Sequence, residues 1–328
     1  MARFASVGVI IWGSVVALLL SGEIRPGIQP PIWAFPAPDK VQGPLPNRQE
    51  PIQVPGSSKS FTAAQIDDLS NPPDWFPEEH GDVPDIILHG KDGAPACGSC
   101  HLMSGHGHPE SADLAGLPVE YLVRQMADYR NGARTDTIRM SGIARHVLPE
   151  DARQAAEWFA SLKPGGWVKV VETETVPKSF VTLEGRMRLP WPGTLREAIG
   201  NRIIELPEDP ARAASRDPHS GYIAYVPKGS IAKGEALVKT GGSGKTIRCA
   251  ICHGDSLEGI GDVPRLAGQH PSYIFRQLLY FYEGGAYTGT SSALMKTIVP
   301  KLTEDDMLAI AAYVASLNPA TPVSAGQP

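Results

Sequence analysis

The sequence predicts a mainly α-helical protein made of two similar halves with a small β-rich insert between them. Three observations support this fold class. Residues around positions 97–162 recur 152 to 155 positions later in the chain. Apolar residues at the helical spacing i, i+3, i+4 and i+7 lie near the end of each copy. Between the copies, short runs of β-branched and aromatic residues alternate with Pro and Gly.

The composition fits a chain with more than one core. Its 328 residues are enough for two modest domains with connecting segments. The 30 Lys and Arg residues are outnumbered by 35 Asp and Glu residues, and no basic run occurs. Nucleic acid is therefore a poor candidate partner.

Residues 1–22 are predicted to be a signal peptide or a membrane anchor. Arg3 is followed by a charge-free stretch over residues 4–22 that is rich in Val, Ile, Leu and Ala. No Ala-x-Ala site follows, and the stretch is at the short end of what can span a bilayer. A cleaved signal and a membrane tether through residues 4–22 both stay open, and either one predicts export to the periplasm.

Residues 23–57 are predicted to be a stiff linker without a fold of its own. Nine prolines between Glu23 and Gly56 disrupt both the helical period and strand alternation. A helical pattern begins near Phe61, where Thr62 is placed to cap the following turn. We place the first helical domain at residues 58–164.

The four cysteines carry the most specific motif. They occur as Cys97-Gly98-Ser99-Cys100-His101 and Cys249-Ala250-Ile251-Cys252-His253. A zinc site would bring its two halves closer than 152 residues, and a thioredoxin-like pair would need a strand leading into it, which neither motif has. Plain disulfides leave the two adjacent histidines unexplained. The C-x-x-C-H pattern is typical of covalent haem c attachment. We therefore expect two covalently bound haem c groups with iron.

Helical spacing explains this motif. Residues i and i+3 share one face of a helix, so Cys97 and Cys100, like Cys249 and Cys252, can each form thioethers with one porphyrin. The following His then lies below the iron as its proximal ligand. His101 and His253 are the predicted proximal ligands.

The internal repeat identifies candidates for the second axial ligand. With an offset of 152, three groups of residues recur: Leu114-Ala115-Gly116 as Leu266-Ala267-Gly268, Tyr121 as Tyr273, and Arg124-Gln125 as Arg276-Gln277. After a slip of three residues, Met140 matches Met295 and Asp151 matches Asp306. No other Met beyond Met1 has a Met as its repeat partner. Met140 and Met295 are the predicted distal ligands, and Met103, Met126 and Met307 are predicted to be packing or loop residues.

Other histidines are weaker candidates for iron. His106 and His108 follow the first motif, where a solvated loop is the expected environment. His146 lies near Met140, but its repeat partner is Lys301, so we expect it at the surface. Of the repeated polar residues, Arg124-Gln125 and Arg276-Gln277 could hold haem propionates or lie on a solvated helix face.

With these motifs, the chain resembles the class I cytochromes c and, because of its duplication, the dihaem cytochromes of the c4 type. The resemblance implies two cytochrome c domains in tandem. It also implies that a backbone carbonyl accepts a hydrogen bond from the proximal imidazole, a role that Pro264 matches. Ala112 stands at that position in the first half. The second domain is placed at residues 229–319, followed by a tail over residues 320–328.

Residues 165–228 depart from the short link of that family. Four segments are predicted to form strands: Trp167–Val171, Phe180–Leu183, Ile203–Leu206 and Tyr222–Val226. We interpret this β-rich insert as a clamp across the two domains, with a partner-docking surface as the alternative.

The resemblance implies an electron carrier rather than an enzyme. The expected partners are a dehydrogenase or a quinol-oxidising complex as donor, and a terminal oxidase or another acceptor. A dihaem peroxidase and a cytochrome subunit of a dehydrogenase are the alternatives. The peroxidase would need an open or displaceable axial site on one iron.

Overall fold

The computed structural model describes residues 29–136, 139–183 and 187–319. The predicted signal or anchor over residues 1–22 and the tail over residues 320–328 lie outside these ranges. Within them, no helix is long and apolar enough to cross a membrane.

Helices form most of the regular structure. Before the strands, the described chain has α1 Ala63–Asp67, α2 Asp85–Leu88, α3 Gly98–His101, α4 Val119–Asn131, α5 Met140–Ile143 and α6 Pro149–Ser161. From the strands onward it has α7 Pro210–Ala214, α8 Ser230–Thr240, α9 Ala250–His253, α10 Pro271–Glu283, α11 Ala293–Ile298 and α12 Glu304–Ser316. Capping boxes begin α1 at Thr62, as the sequence predicts, and α12 at Thr303.

The two halves repeat one helical arrangement. In the first half α4 packs on α6, and in the second half α10 packs on α12. The predicted apolar stripes are on α6, where Trp158 and Phe159 are buried, and on α12, where Tyr313 and Val314 are buried. Each half therefore has its own buried cluster beneath the terminal helix.

The halves differ where each begins. In the second half α8 crosses α12 so closely that a β carbon at Gly234 would overlap the carbonyl of Ala309. In the first half the corresponding stretch forms only a 3-10 turn at Pro77–Glu79 and the single turn α2. Pro84 stands where α8 has Ala236, and proline in a helix interior removes a backbone donor and clashes with the preceding turn.

All seven strands of the described chain lie between α6 and α8: β1 Val168–Thr173, β2 Thr175–Pro177, β3 Ser179–Val181, β4 Arg188–Pro190, β5 Arg196–Ala198, β6 Ile204–Pro207 and β7 Tyr222–Pro227. The largest sheet has the order β1-β7-β6, with β1 parallel and β6 antiparallel to β7. Ile203 and Val226 of this region belong to the buried cluster of the second half, so the sheet shares its core with that half.

Residues 29–57 of the Pro-rich segment have little regular structure, but they pack on the second half at Trp33 and Ala34. They contain one turn of 3-10 helix at Ile32–Ala34. The Trp33 ring packs at a tilt against Phe275, with 4.6 Å between ring centroids, and Ala34 is fully buried. Arg276 Nη1 donates a hydrogen bond to the Ala34 carbonyl at 3.0 Å. Apolar side chains between the prolines thus attach this part of the chain to the second half.

Candidate cofactor site

Both C-x-x-C-H motifs fold into one helical turn. Cys97 directly precedes α3 and Cys249 directly precedes α9, and both have helical backbone angles. All four cysteines are free thiols at half-buried positions. Burial raises the pKa of Cys97 to about 12 and that of Cys249 to about 11, so both stay protonated thiols near neutral pH.

The two proximal histidines have equivalent partners. His101 Nδ1 donates to the carbonyl of Ala112 at 2.9 Å, and His253 Nδ1 donates to the carbonyl of Pro264 at 2.9 Å. Ala112 thus aims its carbonyl as Pro264 does. Because Nδ1 holds the proton, Nε2 keeps the lone pair that can bind a metal. Burial lowers the pKa of both imidazoles, which favours this neutral form.

The two predicted Met ligands begin or lie within short helices that pack on the long helix of their half. Met140 begins α5, which packs on α4, and Met295 lies in α11, which packs on α10. Met295 and Cys249 both contact the buried cluster of the second half. Met103, in contrast, is buried in the core of the first half, as predicted for a packing residue.

Asp136 holds the start of α5 and was not singled out from the sequence. Its carboxylate accepts hydrogen bonds from the backbone N–H groups of Arg139, Met140 and Ser141 at 2.8–3.0 Å. Burial alone would raise the pKa of Asp136, but these hydrogen bonds outweigh burial and lower it. An Asp shortly before a short helix was the available signal.

The expected solvated loop around His106 and His108 is wrong. His106 is 7% exposed and stacks on Trp167 of the insert at 4.6 Å between ring centroids. Burial lowers the pKa of His108 to about 3, and its Nδ1 accepts a hydrogen bond from the backbone N–H of Glu110. The insert covers this loop, which local sequence could not indicate. His146 is exposed, as predicted.

The loops that hold the proximal histidines meet across the boundary between the halves. Asp113 and Arg265, which follow Ala112 and Pro264, form an ion pair with 3.0 Å between Arg265 Nη2 and Asp113 Oδ2. Their side chains are 1% and 2% exposed. Gln269 Nε2 donates to the Asp113 carbonyl at 2.8 Å. Asp113 and Arg265 occupy equivalent positions of the internal repeat, because they lie 152 residues apart.

The loops that lead to the two methionines also meet. Arg134 is 4% exposed and lies between Gln125 Oε1 at 2.6 Å and Gln277 Oε1 at 2.8 Å. Its guanidinium faces the rings of Tyr129 and Tyr287 at 4.5 and 5.0 Å. No ion pair links Arg134 to a carboxylate of the described chain. It is a buried cation held by neutral groups.

The two repeated arginines lie in different environments, and only Arg276 contradicts the alternative of a solvated helix face. Arg124 is partly exposed and faces Asp262 at 3.4 Å across the boundary. Arg276 is buried and donates to the carbonyls of Ala34 and Pro109. Both arginines therefore have protein partners, and the repeated glutamines contact Arg134 instead.

Comparison with known proteins agrees with these features. The sequence profile of the cytochrome c family matches residues 231–318. Cytochrome c-554(547) of Halothiobacillus neapolitanus is 36% identical over 86 residues, which are 23% of this chain and 94% of that protein. The chain belongs to the cytochrome c family.

Longer matches indicate the type within the family. Cytochrome c4 of Pseudomonas aeruginosa is 27% identical over 70% of this chain and 87% of its own length. A protein named thiosulfate dehydrogenase electron acceptor, from Thiomonas intermedia, is 27% identical over 71% of this chain and 84% of its own. The solved cytochrome c4 of Acidithiobacillus ferrooxidans is 25% identical over 67% of this chain and 98% of that chain, with a TM-score of 0.45. The chain is thus similar to cytochromes c4, which are dihaem class I cytochromes.

The donor set fits the haem c that this family carries. Each half has two unpaired thiols on one helical turn and a neutral imidazole whose Nδ1 is already hydrogen-bonded. Thiols at i and i+3 suit thioether attachment, and the free imidazole Nε2 suits iron.

Proposed function

We propose that this protein is a dihaem electron carrier exported to the periplasm. The observation that carries the proposal is the repetition of one site: a C-x-x-C-H turn, an imidazole bonded to a backbone carbonyl and a Met on a short helix occur at equivalent positions in both halves. Bound haem would supply one-electron chemistry, because its iron cycles between the ferrous and ferric states.

The residues have separate roles in this proposal. Cys97, Cys100, Cys249 and Cys252 bind the porphyrins covalently, His101 and His253 are the proximal ligands, and Met140 and Met295 are the distal ligands. The carbonyls of Ala112 and Pro264 orient the two imidazoles. Asp136 fixes the backbone at Met140.

Arg134 is suited to the carboxylates of the haem groups. A buried guanidinium is stable when an anion compensates its charge, and its described partners are neutral. Burial raises the pKa of Tyr121 to about 12 and that of Tyr129 further, so neither tyrosine supplies a negative charge near neutral pH. Propionate groups would meet this requirement.

Contact between the halves supports electron transfer within one chain. Asp113 and Arg265 join the proximal loops, and Arg134 joins the loops that lead to the methionines. Backbone hydrogen bonds from Thr135 N–H to Ala286 and from Thr288 N–H to Ala133 add a second connection. Close haems at fixed separation would exchange electrons rapidly inside the molecule.

We assign the two cytochrome c domains to residues 58–164 and 229–319, with residues 165–228 as a clamp. Insert residues contact both halves. Trp167 stacks on His106 of the first half, and the Ser215 carbonyl accepts a hydrogen bond from Trp75 Nε1 at 2.8 Å. On the other side, Glu205 is bonded to His270 of the second half at 2.8 Å.

The proposed donors are a periplasmic dehydrogenase or a quinol-oxidising complex, and the acceptor is a terminal oxidase or another redox protein. The relative named as a thiosulfate dehydrogenase electron acceptor makes a sulfur-compound dehydrogenase one donor to test. A permanently bound cytochrome subunit of such an enzyme is the second candidate function, supported by the same similarity.

Carbon monoxide binding separates a carrier from a haem enzyme. A carrier keeps both irons six-coordinate, so we expect two low-spin ferric haems and slow carbon monoxide binding after reduction. Electron exchange with small redox proteins should slow as salt screens the encounter. A stoichiometric high-spin haem at neutral pH with peroxide turnover would contradict the carrier. Stable co-purification with a dehydrogenase would favour the subunit.

A further inference from the structure

We propose that Asp113 and Arg265 are positioning residues that couple the two proximal sites and bias the electron toward the haem of the second half. This inference rests on the proposed function, because it requires a haem at both His101 and His253. It assigns an electrostatic role to one ion pair of this chain.

The pair is placed directly beside the two proximal hydrogen bonds. Asp113 follows Ala112, whose carbonyl accepts from His101, and Arg265 follows Pro264, whose carbonyl accepts from His253. A continuous series of contacts therefore runs from one imidazole to the other. Asp113 and Arg265 occupy equivalent positions of the repeat but carry opposite charges. The boundary between the two halves therefore has an anion on one side and a cation on the other.

Hydrogen bonds to neighbouring residues fix the orientation of both side chains of the ion pair. Asp113 Oδ1 accepts from the Ala115 N–H at 3.0 Å, and its backbone N–H donates to Gln269 Oε1 at 3.3 Å. Arg265 donates to the carbonyls of Ala115 at 3.0 Å and Ala267 at 2.5 Å. Burial alone would raise the pKa of Asp113, but Arg265 and His106 outweigh burial and lower it, so the carboxylate stays charged.

The charges act on iron through a weakly screened interior. A negative charge near the proximal imidazole stabilises ferric iron, and a positive charge stabilises ferrous iron. The anion belongs to the loop whose carbonyl holds His101, and the cation belongs to the loop whose carbonyl holds His253. The first haem should therefore hold its electron less tightly.

The test compares Asp113→Asn with Arg265→Gln by spectroelectrochemical titration of the holoprotein. Asp113→Asn removes the negative charge and leaves the cation, so the potential of the first haem should rise by at least about 59 mV. This rise corresponds to a tenfold change in the ferrous-to-ferric ratio of that haem. Arg265→Gln leaves the anion, so the same potential should fall. Met140→His, which changes only the first iron site, identifies the wave of the first haem.

Two further variants separate charge from structure. The exchange Asp113→Arg with Arg265→Asp restores the pair with reversed polarity and should shift the difference between the two potentials in the opposite direction. Arg265→Lys keeps the charge but loses the forked contacts of the guanidinium, so the ferrous-to-ferric ratio of each haem should change by less than twofold. This variant can still be measured if a charge-removing variant loses haem. Asp262→Asn is the matched control, because Asp262 pairs with Arg124 across the same boundary but is half exposed.

The outcomes are distinct. The inference is supported if the potential of the first haem shifts in opposite directions in Asp113→Asn and Arg265→Gln. In Asp262→Asn its ferrous-to-ferric ratio should change by less than twofold. Shifts in the same direction, or potentials that move in Arg265→Lys as much as in Arg265→Gln, would assign a purely structural role and overturn it. A protein that lacks two haems per chain would instead overturn the proposed function itself.

Discussion

Glu205 offers the sharpest test of the contact between the insert and the second half. It lies in β6, where its carboxylate accepts from His270 Nδ1 and from the Ser272 N–H, each at 2.8 Å, and from the Ser272 hydroxyl. The side chains of Glu205 and His270 are each 1% exposed. Glu205→Ala leaves three buried donor groups without their acceptor.

Removing one partner of a buried pair costs about 3–5 kcal/mol. For a unit of about 150–250 residues this lowers the melting temperature by about 6–20 °C, at about 2–4 °C per kcal/mol. Glu208→Ala is the matched control, because Glu208 pairs with Lys169 at an exposed position. Such surface pairs contribute about 0–1 kcal/mol. Thermal unfolding followed by circular dichroism and haem absorbance measures both variants.

Acid should remove this contribution of Glu205. Burial alone would raise its pKa, but the hydrogen bonds with His270 and Ser272 outweigh burial and lower the pKa below the ordinary value of 4.5. A carboxyl group with a lowered folded pKa contributes stability that is complete above its unfolded pKa and disappears as pH falls through the folded pKa. The difference between wild type and Glu205→Ala should therefore shrink below pH 4.5. A loss under about 1 kcal/mol at neutral pH would refute the reasoning.

Two other substitutions test separate parts of the molecule. Asp306→Asn keeps the cap of α12 but loses the ion pairs with Lys233 and Lys245, so urea denaturation should show a loss of about 1.5–3 kcal/mol. The lowered pKa of Asp306 means that this loss fades only in strong acid, and an unchanged midpoint at neutral pH would contradict it. Arg134→Gln should lower both haem potentials, by at least about 59 mV for one haem. Arg124→Gln, at a partly exposed position, is its control. Equal shifts in the two variants would exclude Arg134 as a partner of the haem carboxylates.

Local patterns predicted the elements of the fold well. The C-x-x-C-H spacing required one helical turn, and both motifs form one. Thr62 and Thr303 begin helices because each has a partner three residues later. All four predicted strand segments overlap observed strands. These features depend on residues within a few positions of one another, which the sequence presents directly.

Contacts between distant residues could not be predicted in the same way. His106 was expected in solvent, but the ring of Trp167 stacks on it and shields it. Trp167 lies 61 residues further along the sequence. Glu205 and His270 are both ordinary surface residue types, and only the fold buries them together. The pairing of Asp113 with Arg265 had a signal in the repeat, because equivalent positions of a duplication can meet at the boundary between copies. A single sequence does not indicate which equivalent positions do so.

In the proposed carrier, each half of the protein binds one covalent haem through His and Met. The most direct measurement combines haem content per chain with the ferric Met-to-iron charge-transfer band in Met140→Ala and Met295→Ala. We predict two covalent haems per chain, and loss of about half of the band in each variant, because each Met serves one iron. A protein with one haem per chain, or a band unchanged in both variants, would contradict the account.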